Sequence, residues 1–303
     1  MATSTTSSPK KPVPRPSASL VIVNDRNEVL LVQRNPKATA FGGFHVFPGG
    51  NYDQQDRTLA ITAIRETFEE SGLLLASSTD ASKSVASEQS LDEARHVIHQ
   101  QRKTFDSFLT EHNLKADTGS LLPFTQWITP IGPPKRFETQ FFVTFLPSSS
   151  AAGFSSGQKP ERLPTPDGGQ EVIAARFLHP SDAVAESKAG KLNFMPPQFY
   201  ILSTLAEILK GSVNTAEQRS KVQELSSGAF GRMVINPVGA GKDDQGRQIL
   251  TYEGDELRGG SKGRLHRALL RMTKGAPQEI SLARNFDIFT EIEAISRPTS
   301  SKL

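Results

Sequence analysis

Three glutamates close together in the chain, Glu66, Glu69 and Glu70, could do chemistry as a group. In a helix, residues at i, i+3 and i+4 lie on one face, where three carboxylates repel one another. Such a cluster is tolerated when water solvates it, or it is used when a hard divalent cation neutralises it. Oxygen ligands favour Mg²⁺ or Mn²⁺ over zinc. The spacing alone leaves a solvated helix face and a metal site both open.

A glycine pair precedes these glutamates and favours the metal site. Gly49 and Gly50 follow Phe47-Pro48 and predict a tight turn just before the acidic segment. Glycine allows a close backbone approach, so this turn can bring a main-chain carbonyl to the same ion. The pair therefore strengthens the prediction of an oxygen-only cation site.

The acidic segment is predicted to be a helix that begins after a β-hairpin. Apolar residues between positions 56 and 73 recur at near-helical spacing, and Gly72 stands where such a helix would stop. Upstream, the apolar runs 18–24 and 29–34 flank a polar turn, which predicts an antiparallel hairpin. These elements place the glycine turn and the glutamates in one compact unit.

The rest of the chain alternates helix and strand patterns around one long polar segment. Segment 148–170 is rich in Ser, Gly and Pro and predicts a flexible loop. The further predicted helices are 90–114, 180–189 and 196–210, and the further predicted strands are 121–128, 137–146 and 171–178.

Composition excludes several classes of function. The 303 residues carry 35 Lys and Arg against 32 Asp and Glu, without a concentrated basic stripe, which argues against a nucleic-acid partner. There is no cysteine, which excludes disulfides, thiol catalysis and cysteine-bound zinc. No apolar run approaches the roughly 20 residues that a membrane span needs, so no membrane span is expected.

The glycine turn and the acidic helix together resemble the signature of the Nudix hydrolases. Arg65, the three glutamates, Gly72 and Leu73 all fall in register with the second half of that signature. The first half departs from it, because Asp56 replaces a glutamate and eight residues rather than seven separate Asp56 from Arg65. Thr67 also stands where the signature has a bulky aliphatic residue. We interpret the spacing as a one-residue insertion that leaves the helix intact.

The resemblance implies a fold, an activity and a set of site residues. The fold is a Nudix α/β/α sandwich with a mixed sheet, and the activity is metal-dependent hydrolysis of a diphosphate that links a nucleoside to another moiety. The metal ligands are the Gly49 carbonyl, Glu66, Glu69 and Glu70, with Arg65 pairing to a glutamate, most simply Glu69. A later carboxylate often assists in catalysis, and Glu171 is the candidate here. An ordinary exposed acid at the start of a strand is the alternative for Glu171.

Features outside the signature are similar to a peroxisomal subfamily called nucleoside diphosphate-linked moiety X motif 19. The shared segments include Phe47-Pro48-Gly49-Gly50, Trp127-Ile128-Thr129-Pro130 and Pro196-Pro197-Gln198-Phe199-Tyr200, in this order. This similarity implies coenzyme A or acyl-CoA as the small-molecule substrate. The candidate substrate-binding residues are Arg34, Arg136 and Phe137, although Arg136 can equally be a surface arginine at a strand end.

The terminal segments complete the predicted organisation. We expect a disordered tail at 1–17 and a Nudix domain at 18–195, which includes the 90–114 helix and the 148–170 loop. A C-terminal extension at 196–296 is expected to pack on this domain. The tail 297–303 ends in Ser301-Lys302-Leu303, a tripeptide that peroxisomal import receptors recognise at a free C-terminus. The sequence therefore predicts the peroxisomal matrix as the location and this receptor as a partner.

Two alternative functions remain open at this stage. An NADH or ADP-ribose diphosphatase would use the same chemistry with a different pocket. A catalytically silent Nudix-fold binding module would explain the altered first half of the signature, although the intact glutamates argue against it.

Overall fold

The computed structural model describes residues 12–38, 41–79, 88–133, 135–146, 167, 171–273 and 276–292. The tripeptide 301–303, nearly all of the 148–170 loop and residues 1–11 of the predicted tail lie outside this part. The predicted tail is too long at its inner end, because a strand already begins at Arg15. Residues 15–17 are ordered by pairing with a neighbouring strand, which local composition does not reveal.

Six helices lie in the described part of the chain. They are α1 (Leu59–Ser71), α2 (Glu88–His99), α3 (Phe105–Glu111), α4 (Pro180–Lys188), α5 (Pro196–Ile208) and α6 (Ala216–Ser227). None of these helices is both long and apolar enough to cross a membrane.

The strands of the described residues form one large sheet and two smaller ones. The large sheet contains β1 (Arg15–Val23), β2 (Val29–Arg34), β3 (His45–Val46), β4 (Gly49–Asn51), β7 (Leu122–Ile128), β8 (Phe137–Phe145), β9 (Val172–Leu178) and β10 (Val234–Ile235). The smaller sheets contain β5 (Ala76–Ser78) with β6 (Leu114–Ala116), and β11 (Val238–Lys242), β12 (Gln248–Thr251), β13 (His266–Thr273) and β14 (Ala276–Arg284).

The large sheet is mixed, and β1 lies at its centre. Strand β1 runs parallel to β8 and antiparallel to β4 and, at Val23, to β2. Its side chains alternate between two hydrophobic clusters, so that Leu20 packs with the α1 residues while Val21 packs with the α5 residues. Helices therefore cover both faces, which confirms the α/β/α sandwich.

The predicted helix at 90–114 is wrong as a single element. Two helices, α2 and α3, occupy this segment, and Gln101 between them adopts a positive φ of 55°. Thr104 then starts α3 by accepting a hydrogen bond from the Ser107 amide. An apolar pattern at helical spacing continues through this turn, because both helices pack on the same core, and this hides the break from a reading of periodicity.

Two consecutive hydrogen bonds through the buried His266 connect the C-terminal sheet β11–β14 to α5. The Tyr200 hydroxyl donates to Nε2 of His266 over 2.9 Å, and Nδ1 of His266 donates to the Glu253 carbonyl oxygen over 2.7 Å. A carbonyl can only accept, so Nδ1 carries a proton. The pKa of His266, which burial helps to lower to about 4, leaves the ring neutral with Nε2 as an acceptor. These hydrogen bonds fix the C-terminal sheet against α5.

The buried His266 makes stability depend on pH. Burial, together with the nearby Arg284 and Arg264, lowers the pKa of His266 from 6.5 to about 4, against the opposing effect of the hydrogen bond to Glu253. Between these two values the unfolded chain binds a proton that the folded chain does not. The free energy of unfolding should therefore fall as the pH drops from 6.5 to 4, by about 3 kcal/mol.

Urea unfolding at several pH values measures this dependence. His266→Gln is the matched variant, because its carboxamide can donate to Glu253 and accept from Tyr200 without titrating. We expect the pH dependence of the wild type to exceed that of the variant between pH 6.5 and 4. Parallel profiles would show that His266 is not kept neutral by its surroundings.

Candidate active site

The glycine turn is held against α1 by the pairing of β4 with β1. Ala18 pairs with Gly50 and Ser19 with Gly49. A Cβ added to Gly49 would lie 2.4 Å from the Ala18 carbonyl oxygen, and one added to Gly50 would lie 2.5 Å from the Glu66 carboxyl group. Close approach on both sides therefore requires glycine here, and Gly50 sets how near the turn lies to Glu66.

The three glutamates of α1 do not lie on a solvated helix face. Glu69 and Glu70 are buried, and Glu66 is only partly exposed. The Gly49 amide donates to Oε2 of Glu70 over 3.0 Å, which ties the turn directly to the helix. The burial excludes the solvated-face interpretation that the sequence left open.

Arg65 connects these carboxylates to the loop that precedes the helix. Its guanidinium lies 2.8 Å from Glu69, 2.9 Å from Glu66 and 2.9 Å from Asp56. The pairing with Glu69 confirms the prediction. Asp56 is buried and also accepts from the Thr62 hydroxyl over 2.9 Å, so it positions Arg65.

The role of Asp56 was missed in the sequence analysis, which treated this residue as a departure from the signature. The signal that could have revealed this role is that Asp56 occupies the acidic position in the first half of the signature. Asp56 lies two residues before Thr58, the N-cap of α1, and its carboxylate reaches Arg65 in the helix. Although Asp56 is shorter than the glutamate of the signature and lies one residue further from Arg65 along the chain, its carboxylate still pairs with Arg65.

Replacing Asp56 by asparagine should weaken both the site and the fold. The guanidinium would keep its two glutamates but lose a buried charged partner, which costs on the order of 1–3 kcal/mol. A residue that orients ligands in this way typically changes activity by about 10- to 100-fold. Urea unfolding and kcat/KM measure the two effects. Asp182→Asn is the control, since Asp182 is an exposed residue of α4 that does not line the cavity; equal effects of both substitutions would contradict the positioning role.

Two residues of α2 also contact Glu69. Nε of Arg95 donates to the Glu69 carbonyl oxygen over 2.7 Å, and Nδ1 of His99 lies 3.4 Å from the Glu69 carboxylate. Neither residue can be identified as part of the site from the sequence, because α2 is far along the chain and carries no recognisable motif. Only packing of α2 against α1 reveals these contacts.

The electrostatics of the site favour a bound cation. Burial raises the pKa of Glu66 to about 7, against the opposing effect of Arg65. Burial and the nearby Glu66 also raise the pKa of Glu70 well above its usual value, against Arg34. Carboxylates whose pKa values are raised in this way need further positive charge to stay ionised.

A hard divalent cation fits this donor set, since carboxylates and a glycine carbonyl offer oxygen ligands only. Within the described residues, no three acidic or histidine side chains already converge into a cation cage. The glutamates are held instead by Arg65 and Arg34. The assignment of Gly49, Glu66, Glu69 and Glu70 as ligands stays a prediction.

Arg34 and Glu171 extend the charged region beyond α1. Arg34 at the end of β2 lies 3.5 Å from Glu70 and 3.8 Å from Glu171. Glu171 is half exposed and directly precedes β9. Both residues line the cavity next to the acidic helix. This position suits Glu171 as a base and Arg34 as a substrate-binding residue.

The two candidates at the start of β8, Phe137 and the preceding Arg136, differ in their placement. Phe137 lines the cavity beside Phe41, with ring centroids 6.1 Å apart. Arg136 instead donates to the carbonyl oxygens of Thr129 and Pro12, at 2.9 and 3.0 Å. Its guanidinium ties two backbone segments together, which favours the structural alternative that the sequence left open; its assignment to the substrate stays a prediction.

The cavity in front of α1 has a volume of about 820 Å³. The glycine turn and the acidic helix line one part of it, and the α2–α3 connection and the ends of β7 and β8 line others. The first turn of α5 and strands β12 and β13 also contribute. The C-terminal extension thus completes the pocket, a point that the sequence left undecided.

Comparison with known proteins identifies the class to which this fold and site belong. Residues 55–205 match the family model of the NUDT19 Nudix domain. A crystal structure of a NUDIX hydrolase from Alicyclobacillus acidocaldarius has the same fold, with a TM-score of 0.52 and 24% identity over 67% of this chain and 99% of that one. The chain belongs to the Nudix hydrolase family.

Two relatives show which kinds of Nudix hydrolase this chain is similar to. A putative nudix hydrolase 7 of Caenorhabditis elegans is 27% identical over 199 residues, which cover 64% of this chain and 61% of that protein. The acyl-coenzyme A diphosphatase NUDT19 of Xenopus laevis is 25% identical over 238 residues, with 59% of each chain covered. The chain spans about 60% of the length of these relatives.

Proposed function

We propose that this protein hydrolyses the diphosphate linkage of coenzyme A or acyl-CoA, yielding (acyl-)4'-phosphopantetheine and 3',5'-ADP. The observation that carries the proposal is the set of buried carboxylates and the glycine turn at the wall of a cavity of about 820 Å³. Such a cavity accommodates a large nucleotide-linked molecule. The relative named as an acyl-coenzyme A diphosphatase supports this choice of substrate.

Nudix hydrolases generally use divalent metal ions, and we propose Mg²⁺ or Mn²⁺ for this chain. Glu66, Glu69, Glu70 and the Gly49 carbonyl would hold the ion. When bound, it neutralises phosphate oxygens and makes a water molecule more acidic. Arg65 orients Glu66 and Glu69, and Asp56 holds Arg65 in place.

The reaction adds one water across a P–O–P bond and leaves a phosphate on each product. Glu171 is our candidate for the base that accepts a proton from the attacking water, since its carboxylate reaches the cavity beside Arg34. Arg34 offsets the negative charge of Glu70 and Glu171 when a phosphate approaches. In this proposal the glutamates of α1 hold the cation, whereas Glu171 accepts the proton.

A substrate panel tests the proposal. Purified protein is incubated with Mg²⁺ or Mn²⁺ and, separately, with coenzyme A, acyl-CoA, NADH and ADP-ribose. We expect 3',5'-ADP from the coenzyme A compounds only. AMP from NADH or ADP-ribose, without cleavage of coenzyme A, would establish the alternative diphosphatase activity. No product from any substrate would indicate a silent binding module.

We also propose import into peroxisomes through Ser301-Lys302-Leu303, which lies outside the described residues. The support is the tripeptide itself and its agreement with an acyl-CoA substrate. A fluorescent protein fused to the N-terminus should co-localise with a peroxisomal marker, and removal of the tripeptide should disperse it. Unchanged localisation after removal would contradict the proposal.

A further inference from the structure

Part of the cavity lining is apolar and is formed by residues outside the acidic helix. We use the name apolar wall for Met195, Pro196 and Pro197 at the start of α5 together with Leu250, Leu270 and Met272 of the C-terminal sheet. Leu270 is buried, and Leu250 and Met272 are partly buried against the core. This wall suits an uncharged part of a ligand rather than a phosphate.

The start of α5 is unusually poor in polar groups for a helix N-terminus. Its first two residues are Pro196 and Pro197, which lack amide protons, and Met195 caps the helix without a side-chain hydrogen bond. The free amides that make helix N-termini attractive to anions are therefore largely missing here. This argues against a phosphate subsite at this end of the cavity.

Gln198 is the polar exception beside this apolar wall. The residue is 9% exposed and lines the cavity, and its Oε1 atom is buried without a hydrogen-bond partner among the described residues. Rotating the carboxamide by 180° would put its amino group in the same position, so one polar atom lacks a partner in either orientation. An unpaired buried polar group is costly unless a ligand pairs with it.

We infer that Gln198 is a specificity-determining residue that hydrogen-bonds an amide of the pantetheine arm while the apolar wall packs against the rest of this arm. The arm combines secondary amides with methyl and methylene groups, which matches a carboxamide beside Met, Pro and Leu side chains. The inference rests on the proposed function and adds the place where the non-nucleotide half of the substrate binds.

The two halves of coenzyme A provide the test. 4'-Phosphopantetheine and 3',5'-ADP are measured separately as inhibitors of coenzyme A hydrolysis by the wild type, Gln198→Leu and the control Gln223→Leu, an exposed residue of α6. Loss of one neutral hydrogen bond should raise the inhibition constant of 4'-phosphopantetheine by about fivefold in Gln198→Leu. The constant for 3',5'-ADP should not change in this variant, and neither constant should change in the control.

The outcomes separate the inference from the function on which it rests. Wild type that fails to cleave coenzyme A overturns both. A larger rise for 3',5'-ADP would show that Gln198 contacts the nucleotide half, and equal rises or none would show that it does not contact the arm; each result overturns the inference. Gln198→Leu should unfold at the same or a higher urea concentration, because leucine removes the unpaired polar atom, so loss of fold does not account for weaker binding.

Discussion

Replacing Glu70 by glutamine should lower kcat/KM for coenzyme A by at least about 100-fold while leaving the protein folded. Glutamine keeps the size of the side chain and an oxygen that can accept from the Gly49 amide, but it removes the negative charge that would bind a cation. Substitutions that only disturb ligand orientation cost about 10- to 100-fold, so loss of a ligand charge should cost more.

The same substitution should not reduce stability in the absence of metal. Glu70 is buried, with a pKa raised well above its usual value, so the folded state gains by losing this charge. Thermal unfolding with and without Mg²⁺ separates the two effects, because a ligand stabilises only the folded state that binds it. The wild type should be stabilised by Mg²⁺, and the variant much less.

Glu224→Gln is the matched control, since Glu224 lies on the exposed surface of α6. It should retain full activity and the full stabilisation by Mg²⁺. Full activity of Glu70→Gln would mean that the ligands have been placed on the wrong residues. A variant that loses activity but keeps the whole Mg²⁺ effect would show that Glu70 acts in catalysis without holding the ion.

Replacing Gly50 by alanine should have the second largest effect, although it adds one methyl group. The new Cβ would lie 2.5 Å from the Glu66 carboxyl group, so that carboxylate must move. Its contact with Arg65, now 2.9 Å, would change with it. We expect kcat/KM to fall by about 10- to 100-fold, as for other changes that misorient a ligand, with an overpacking cost of about 1–3 kcal/mol in the free energy of unfolding.

Gly239→Ala is the control for this substitution, because nothing lies within 4 Å of the added Cβ there. Activity and urea unfolding should both stay at wild-type values in the control. If Gly50→Ala loses stability but keeps its activity, the position of Glu66 does not govern catalysis. If neither changes, the close approach of turn and helix is not maintained in solution.

Much of the local structure near the site could be predicted because short-range signals determine it. Thr58 and Gly72 bound α1 as cap residues, and the apolar spacing between them matches one buried face. The pairing of Arg65 with Glu69 follows from i, i+4 geometry on a helix. Each of these features depends on residues only a few positions apart.

Predictions failed where contacts between distant segments decide the structure. The break between α2 and α3 was missed because both helices continue one buried apolar pattern. For Arg136 the sequence leaves a substrate contact and a surface position open, because its place beside the Thr129 and Pro12 carbonyls depends on how the start of β8 meets the N-terminal segment. Residue type indicates which partners a guanidinium can bind but not which are nearby.

The amino-acid order alone establishes the succession of the chemical groups: a glycine pair, then an arginine followed by three glutamates on a predicted helix. It did not determine whether these glutamates face water or the protein interior, since helical spacing is the same in both cases. The tertiary structure decided this by packing β4 and α2 against α1, which buries Glu69 and Glu70 and raises the pKa of Glu70. It also brought the C-terminal sheet to the same cavity, more than 150 residues from the helix along the chain, because pocket walls form by packing and not by proximity in sequence.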